Sequence, residues 1–134
     1  MTIQFSTTVR NARLDTIEST IGTAPTLEIR TGAAPANCGT ADSGTVLATL
    51  TLPSDWMAAA ASGAKAIAGT WQDLSADATG TAAHFRIKVG GTCHIQGTCS
   101  APAGGGDMEI SPSASVTIGQ SFTISTFTLT DGNA

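Results

Sequence analysis

Apolar residues recur with the period of an α-helix in one segment near the start of the chain. These positions form one broad face: Val9, Leu14, Ile17 and Ile21. Ser6 or Thr7 is placed to cap the N-terminus, and Gly22 tolerates the positive φ that often follows a helix. The pattern therefore predicts a helix over residues 6–21.

Most of the remaining chain alternates apolar and polar residues, which is typical of half-buried β-strands. Residues 26–31 place Leu27 and Ile29 on one face. Residues 45–52 alternate in the same way, and Pro53 ends them because it lacks a backbone donor. Both segments are therefore predicted to be strands of one β-rich fold.

The clearest alternation lies in residues 81–89. Phe85 and Ile87 point to one face, and a polar set points to the other: His84, Arg86 and Lys88. We expect this polar face to be solvated. Residues 93–96 return after Gly-Gly-Thr, so the pattern predicts a β-hairpin.

Two registers are open for this hairpin. A three-residue loop, residues 90–92, places Ile87 opposite Ile95 and Val89 opposite Cys93. A two-residue Gly-Gly turn would place a histidine opposite Ile87 instead. The three-residue loop buries more apolar surface, so it is the predicted register.

Turn residues and short apolar runs organise the other segments. Residues 32–44 form a long predicted surface loop, since Gly, Pro, Asn, Asp and Ser dominate them. Residues 54–61 favour a short helix through four alanines, and residues 65–71 favour an edge strand. These segments add only one short helix, so the predicted fold is still mainly β.

Three further apolar runs follow a glycine-rich link, at residues 108–110, 115–118 and 121–129. Phe122 and Ile124 have a parity that later apolar residues of the last run do not share. This change predicts either a bulge or a crossing from one sheet to another near residues 125–126.

The whole pattern predicts one domain over residues 1–134, with the N-terminal helix at 6–21 and a β-sandwich at 26–130. Its fold class is mainly β, an antiparallel sandwich or jelly roll with one short helix. Nine apolar residues are predicted to form the core: Leu14, Ile17, Leu27, Ile29, Leu50, Phe85, Ile87, Phe122 and Ile124.

Composition narrows the possible partners. The 134 residues carry a net charge of -4 and only 12% charged residues, so we expect no nucleic-acid partner. No run approaches the ~20 apolar residues of a membrane span, so we expect no membrane partner. The first residues lack a charged segment followed by an apolar one, so we expect synthesis in a host cytoplasm.

Small side chains dominate the composition. Gly, Ala, Ser and Thr make up over half of the chain. Each buries little apolar area, so the sequence predicts a light core that neighbouring subunits stabilise.

The reactive residues do not form a recognisable metal or cofactor motif. The gap between Cys93 and Cys99 is too long for a zinc knuckle, and three cysteines cannot all pair in one chain. We therefore expect Cys38, Cys93 and Cys99 to be free thiols. The segment Gly104–Asp107 lacks the Lys-Ser/Thr of a phosphate loop, and no calcium-binding Asp ladder is present.

Catalytic residues are not predicted either. His84 and His94 lie near serines, but serine is abundant and no nucleophile-elbow motif is present. We expect no enzyme and no cofactor. Trp56 and Trp71 fall in loop-like segments, where they suit sugar stacking or a subunit interface. Because aromatic residues are only 4% of the chain, the interface is favoured.

Several segments resemble a family of small virion proteins of tailed phages and prophages. They are LDTIESTIG (14–22), LEIRTGAAPANC (27–38), ADSGTVLATLTLPSDWM (41–57), GTWQDLSADATGTAAHFRI (69–87) and FTLTDGNA (127–134). The resemblance implies a structural particle protein and carries no catalytic residue. Among such proteins, a capsid cement or decoration protein is similar in size and is often a sandwich.

This hypothesis implies a protein on the exterior of the capsid that binds the major capsid protein and itself, as a dimer or trimer. Partner contacts are expected at Trp56 and Trp71 and in the loop, at Pro35 and Asn37. Two alternatives remain: a tail, neck or fibre-associated structural protein, and a sugar-binding module for host attachment.

Overall fold

A computed structural model describes residues 2–133. The chain begins with one helix, α1 (Thr7–Ile21), as the apolar pattern predicts. The Ser6 side chain accepts a hydrogen bond from the Val9 backbone N–H, and Gly22, at φ 96°, donates its N–H to the Glu18 carbonyl. Leu14 and Ile21 are buried as expected, whereas Val9 is exposed.

Ten strands follow within the described residues. They are β1 (Thr26–Arg30), β2 (Val46–Thr51), β3 (Ala64–Ala66), β4 (Gln72–Asp73), β5 (Gly80–Thr81), β6 (His84–Val89), β7 (Thr92–Ser100), β8 (Met108–Ser111), β9 (Ser115–Val116) and β10 (Phe122–Thr130). The fold is mainly β with one helix, which confirms the predicted class.

Eight of these strands form one curled, sandwich-like sheet. Its order is β2-β1-β6-β7-β8-β10-β3, and β4 also pairs with β10, while β5 and β9 form a separate pair. All pairs are antiparallel except β7 with β8, where Cys99 lies beside Met108. The sheet is therefore almost but not fully antiparallel.

The core contains the residues that the apolar pattern selects. Of the nine predicted core residues, eight are buried and Ile17 is partly buried against them. Four of the aromatic rings in the core form a series of neighbours: Trp56, Trp71, Phe127 and Phe85. Neighbouring ring centroids in this series are 5.4–6.0 Å apart. The core buries more large side chains than the sequence predicted, because both tryptophans lie inside it.

The hairpin of β6 and β7 combines the two registers. Ile87 pairs with Ile95, as the three-residue loop predicts, but Val89 pairs with Thr92 rather than Cys93. A bulge between Ile87 and Lys88 absorbs the difference. In β10, the register also shifts between Ile124 and Thr126, so the predicted bulge is confirmed.

The predicted helix at residues 54–61 is absent. Residues 57–61 instead pair with the edge strand β3, where the Ala58 N–H donates to Ala66 and Ala61 exchanges two hydrogen bonds with Ala64. Three side chains of α1 accept hydrogen bonds from backbone N–H groups of residues 57–63. These bonds join Asn11 to Gly63, Asp15 to Ala60 and Glu18 to Met57, at 2.9–3.0 Å. Tertiary hydrogen bonds therefore outweigh the helix propensity of the alanines.

Candidate functional site

The polar face of β6 is buried, so the prediction of a solvated face is wrong. His84, Arg86 and Lys88 are all buried, and the loop of residues 32–44 supplies hydrogen-bond partners to each of them. The Arg86 guanidinium donates to three backbone carbonyls of that loop and to a carboxylate. The carbonyls belong to Asn37, Cys38 and Thr40, at 3.0–3.2 Å. The Arg86 side chain therefore holds the loop in place through its backbone carbonyls.

Asp42 joins this loop to three cations. Its carboxylate accepts hydrogen bonds from Arg86 and Lys88, and its Oδ2 lies 3.1 Å from Nη2 of Arg30. Glu28 pairs with Arg30 and Lys88 on the same face. The hydrogen bonds from Lys88 and Arg86 lower the pKa of the Asp42 carboxyl to about 2. Two carboxylates therefore pair with all three cations that the loop covers.

A disulfide also holds the loop. Cys38 in the loop is bonded to Cys93 at the start of β7, so the prediction of free thiols is wrong for this pair. Cys99 is free, and burial raises the pKa of its thiol to about 12. A thiol with that pKa stays protonated at neutral pH, which makes Cys99 a poor nucleophile.

The two histidines lie in different environments. His84 is buried with Nδ1 2.8 Å from the Gly32 carbonyl, and its Nε2 has no partner among the described residues. His94 is exposed. Within residues 2–133, no hydrogen bond joins either ring to a serine hydroxyl, and no three metal-binding side chains cluster. Over the same range, no helix is long and apolar enough to cross a membrane.

The four predicted interface residues have different surroundings. Trp56 and Trp71 are buried, and their indole N–H groups donate to the carbonyls of Gly22 and Ala68. The prediction that these tryptophans lie at partner contacts is wrong, because an apolar pocket inside the subunit already encloses them. Their burial also removes the stacking surface on which the sugar-binding alternative depended.

The interface role of the two loop residues stays a prediction. Pro35 is half-buried, and its carbonyl accepts a hydrogen bond from Gln96 at 2.7 Å. Asn37 is exposed, and its side chain accepts hydrogen bonds from Gly39 and Thr40. Both residues therefore lie on a loop that is held in one shape.

A different surface presents large apolar side chains to solvent. We call residues 74–79 and 117–121 the turn pair. Leu74 lies in the first of these turns and is 72% exposed. Ile118 lies in the second turn and is 64% exposed. Leu74 follows Asp73 in a segment rich in turn residues, and Ile118 ends the apolar run 115–118, but β9 ends at Val116. An apolar residue inside a turn-rich segment was the available signal.

Hydrogen bonds join the two turns firmly. The Ala76 N–H donates to the Gln120 carbonyl, and the Gly119 N–H donates to the Ala76 carbonyl, at 2.8–2.9 Å. The Ile118 N–H donates to the Thr79 hydroxyl at 2.9 Å. The exposed apolar groups are thus held on a rigid backbone, as a preformed contact surface requires.

A surface depression lies elsewhere. It is open, has a volume of about 630 Å³ and runs between α1 and residues 130–133. Arg13 and Asp131 line it and form an ion pair of 3.1 Å. Its charged side chains therefore already have partners.

Comparisons with known proteins give no relative, since no protein family, no curated protein and no solved structure matches this chain.

Proposed function

We propose that this chain is a structural protein of a tailed-phage virion, a capsid decoration protein that binds the outer surface of the shell. The proposal takes its class from the segments that resemble small phage virion proteins. The major capsid protein is the proposed partner, and further copies of the chain complete the contacts. The turn pair is the proposed site of contact with the shell.

The observation that carries the contact site is the exposure of Leu74 and Ile118. Among the described residues, Ile3, Val9 and Val89 are also exposed, but each stands on a different segment, whereas Leu74 and Ile118 lie on two turns that hydrogen bonds join. Exposed apolar groups with a polar rim are typical of protein interfaces. A decoration protein repeats each contact many times on a lattice, so a small patch is enough for stable coating.

The disulfide supports the proposed location. Disulfides persist on virion surfaces and in other oxidising environments, and are rare in the cytosol. A chain made in a reducing cytoplasm would close Cys38–Cys93 after the particle leaves the cell. The loop is already held by Arg86, so assembly does not depend on this bond.

The experiment measures binding of the purified chain to shells assembled from the major capsid protein alone. Sedimentation and electron microscopy should show the wild-type chain on the shell surface. The double variant Leu74→Ser/Ile118→Ser should bind at least about tenfold more weakly, because each side chain contributes about 1 kcal/mol or more when buried.

Ile3→Ser is the matched control. Ile3 is 76% exposed and lies in the N-terminal arm, where Phe5 hydrogen-bonds to Asn133 beyond the end of β10. The turn pair precedes the start of β10, and nine residues of strand span about 25 Å. The control removes a similar apolar group far from the turn pair and should bind normally. Equal binding by all three proteins would refute the contact site, and density confined to a tail would refute the decoration role.

A further inference from the structure

We infer that the turn pair docks on a protein surface whose apolar socket is bordered by Lys and Arg side chains. This inference rests on the proposed function, since it specifies the chemistry of the shell surface that the turn pair would contact. Three observations support it: where the cations of this chain lie, which carboxylates stay unpaired, and which charges border Leu74 and Ile118.

Most cationic side chains of this protein lie in its interior. Four of the six Lys and Arg side chains are less than 10% exposed: Arg30, Lys65, Arg86 and Lys88. Asp42 and Glu28 pair with three of them, and Asp15 with Glu18 holds Lys65 at 2.7–2.8 Å. These cations are therefore not available to a partner.

The two remaining arginines are also engaged. Arg13 is about half exposed and pairs with Asp131. Arg10 is half-buried and donates to the Asp131 carbonyl and to the Thr7 hydroxyl. Within residues 2–133, no Lys or Arg side chain stands on the surface without a partner.

Several carboxylates, in contrast, form no ion pair within the described part of the chain. They are Asp55, Asp73, Asp77, Asp107 and Glu109. Asp73, the last residue of β4, and Asp77, in the first turn, flank Leu74 in sequence. No Lys or Arg occurs in residues 72–81 or 114–123. The charged residues of these two segments are therefore both acidic, and the others are neutral.

This charge pattern indicates which charge the partner's surface should carry. A partner with a neutral apolar surface would strip water from Asp73 and Asp77 without replacing it, and an acidic one would repel them. Lys and Arg side chains around an apolar socket replace the lost water of the two aspartates with ion pairs, and they attract the aspartates instead of repelling them. Charges at the rim of an interface act mainly on the association rate and its salt dependence.

The first experiment measures the apparent Kd for shells at 50 mM and 500 mM NaCl, where the lower salt favours charge attraction over a longer distance. The variant Asp73→Asn/Asp77→Asn should bind roughly five- to tenfold more weakly at low salt, and its affinity should depend less on salt. Asn keeps an oxygen that accepts the Ser75 N–H, which Asp73 now accepts at 2.8 Å, so the turn should survive.

The matched control is Asp55→Asn/Glu109→Gln, which removes two unpaired carboxylates outside the turn pair. It should change the Kd by less than about twofold. Equal weakening by the control pair, or a wild-type affinity that salt does not change, would overturn the inference and leave the decoration role intact.

The second experiment does not use the shell. Amide NMR shifts of the chain are followed as an amphipathic Leu/Lys peptide is added, with a Leu/Glu peptide as the control. The inference predicts shifts concentrated in residues 73–79 and 117–121 for the Lys peptide alone. Shifts spread evenly over the exposed carboxylates, or equal shifts with both peptides, would overturn it. A localised response combined with no shell binding would support the inference and refute the proposed function.

Discussion

Loss of the Cys38–Cys93 bond should lower the stability of the folded chain by about 4 kcal/mol. The two cysteines are 55 residues apart, so the bond closes a long loop in the unfolded chain. The chain-entropy relation for a loop of that length gives about 14 cal/mol/K, or about 4 kcal/mol at 25 °C. That is a large fraction of the 5–15 kcal/mol by which domains are usually stable.

The assay is urea unfolding of the oxidised wild type, the reduced wild type and the double variant Cys38→Ser/Cys93→Ser. Cys99→Ser is the control, since Cys99 is a free buried thiol and its replacement leaves the loop closed. The reduced protein and the double variant should lose the same stability. The loop should keep the hydrogen bonds that its carbonyls accept from Arg86 in both, visible as slowed exchange of the Arg86 guanidinium protons. A reduced protein as stable as the oxidised one would refute the reasoning.

Three further predictions concern the core, the ion pairs and the loop. Trp71→Ala should destabilise the fold by about 3–5 kcal/mol in urea unfolding, whereas Leu74→Ala should change it by less than about 0.5 kcal/mol; similar values would place Trp71 outside the core. The folded pKa of Asp42, about 2, lies below its ordinary value of 3.8, so its stabilisation is present above pH 4 and is lost as pH falls toward 2. Unfolding curves between pH 2 and 6 should show this dependence more strongly in the wild type than in Asp42→Asn, where Asp15 and Asp107, whose pKa values are also lowered, still titrate. Parallel curves for the two proteins would contradict the prediction. Gly44→Ala should destabilise by more than about 1 kcal/mol, because φ is +69° and a Cβ would meet the Thr31 carbonyl oxygen at 1.9 Å; an unchanged melting temperature would contradict this.

Local patterns predicted the elements that depend on neighbouring residues. The helix α1, the strand around Phe85 and the bulge after Ile124 follow from periodicity and parity. Caps and turns act over a few residues, so the sequence displays them directly. The mainly β class was predictable for the same reason.

Contacts between distant segments were not predictable from those patterns. Arg86 is polar by type, and only the return of a loop 46 residues away in sequence gives it carbonyl partners and removes it from water. The same distance hides the proximity of Cys38 to Cys93. Trp71 follows a glycine-rich segment, yet its ring centroid lies 5.7 Å from that of Phe127 in the core.

The proposed contact surface was not predictable for the same reason. The turn pair depends on hydrogen bonds between residues 76 and 119–120, which bring two ordinary turns together. The exposure of Leu74 and Ile118 follows from that pairing and not from either turn alone. A large apolar residue inside a turn-rich segment was a local signal for Leu74, whereas Ile118 stood in the apolar run 115–118 and gave none.

The copy number and position of this chain in purified virions test the central claim most directly. Quantitative gel staining gives the ratio of this chain to the major capsid protein, and electron microscopy of the same particles locates its density. The account predicts hundreds of copies on the outside of the head, spaced with the lattice of the shell. A count of tens confined to the tail, or absence from mature particles, would contradict it.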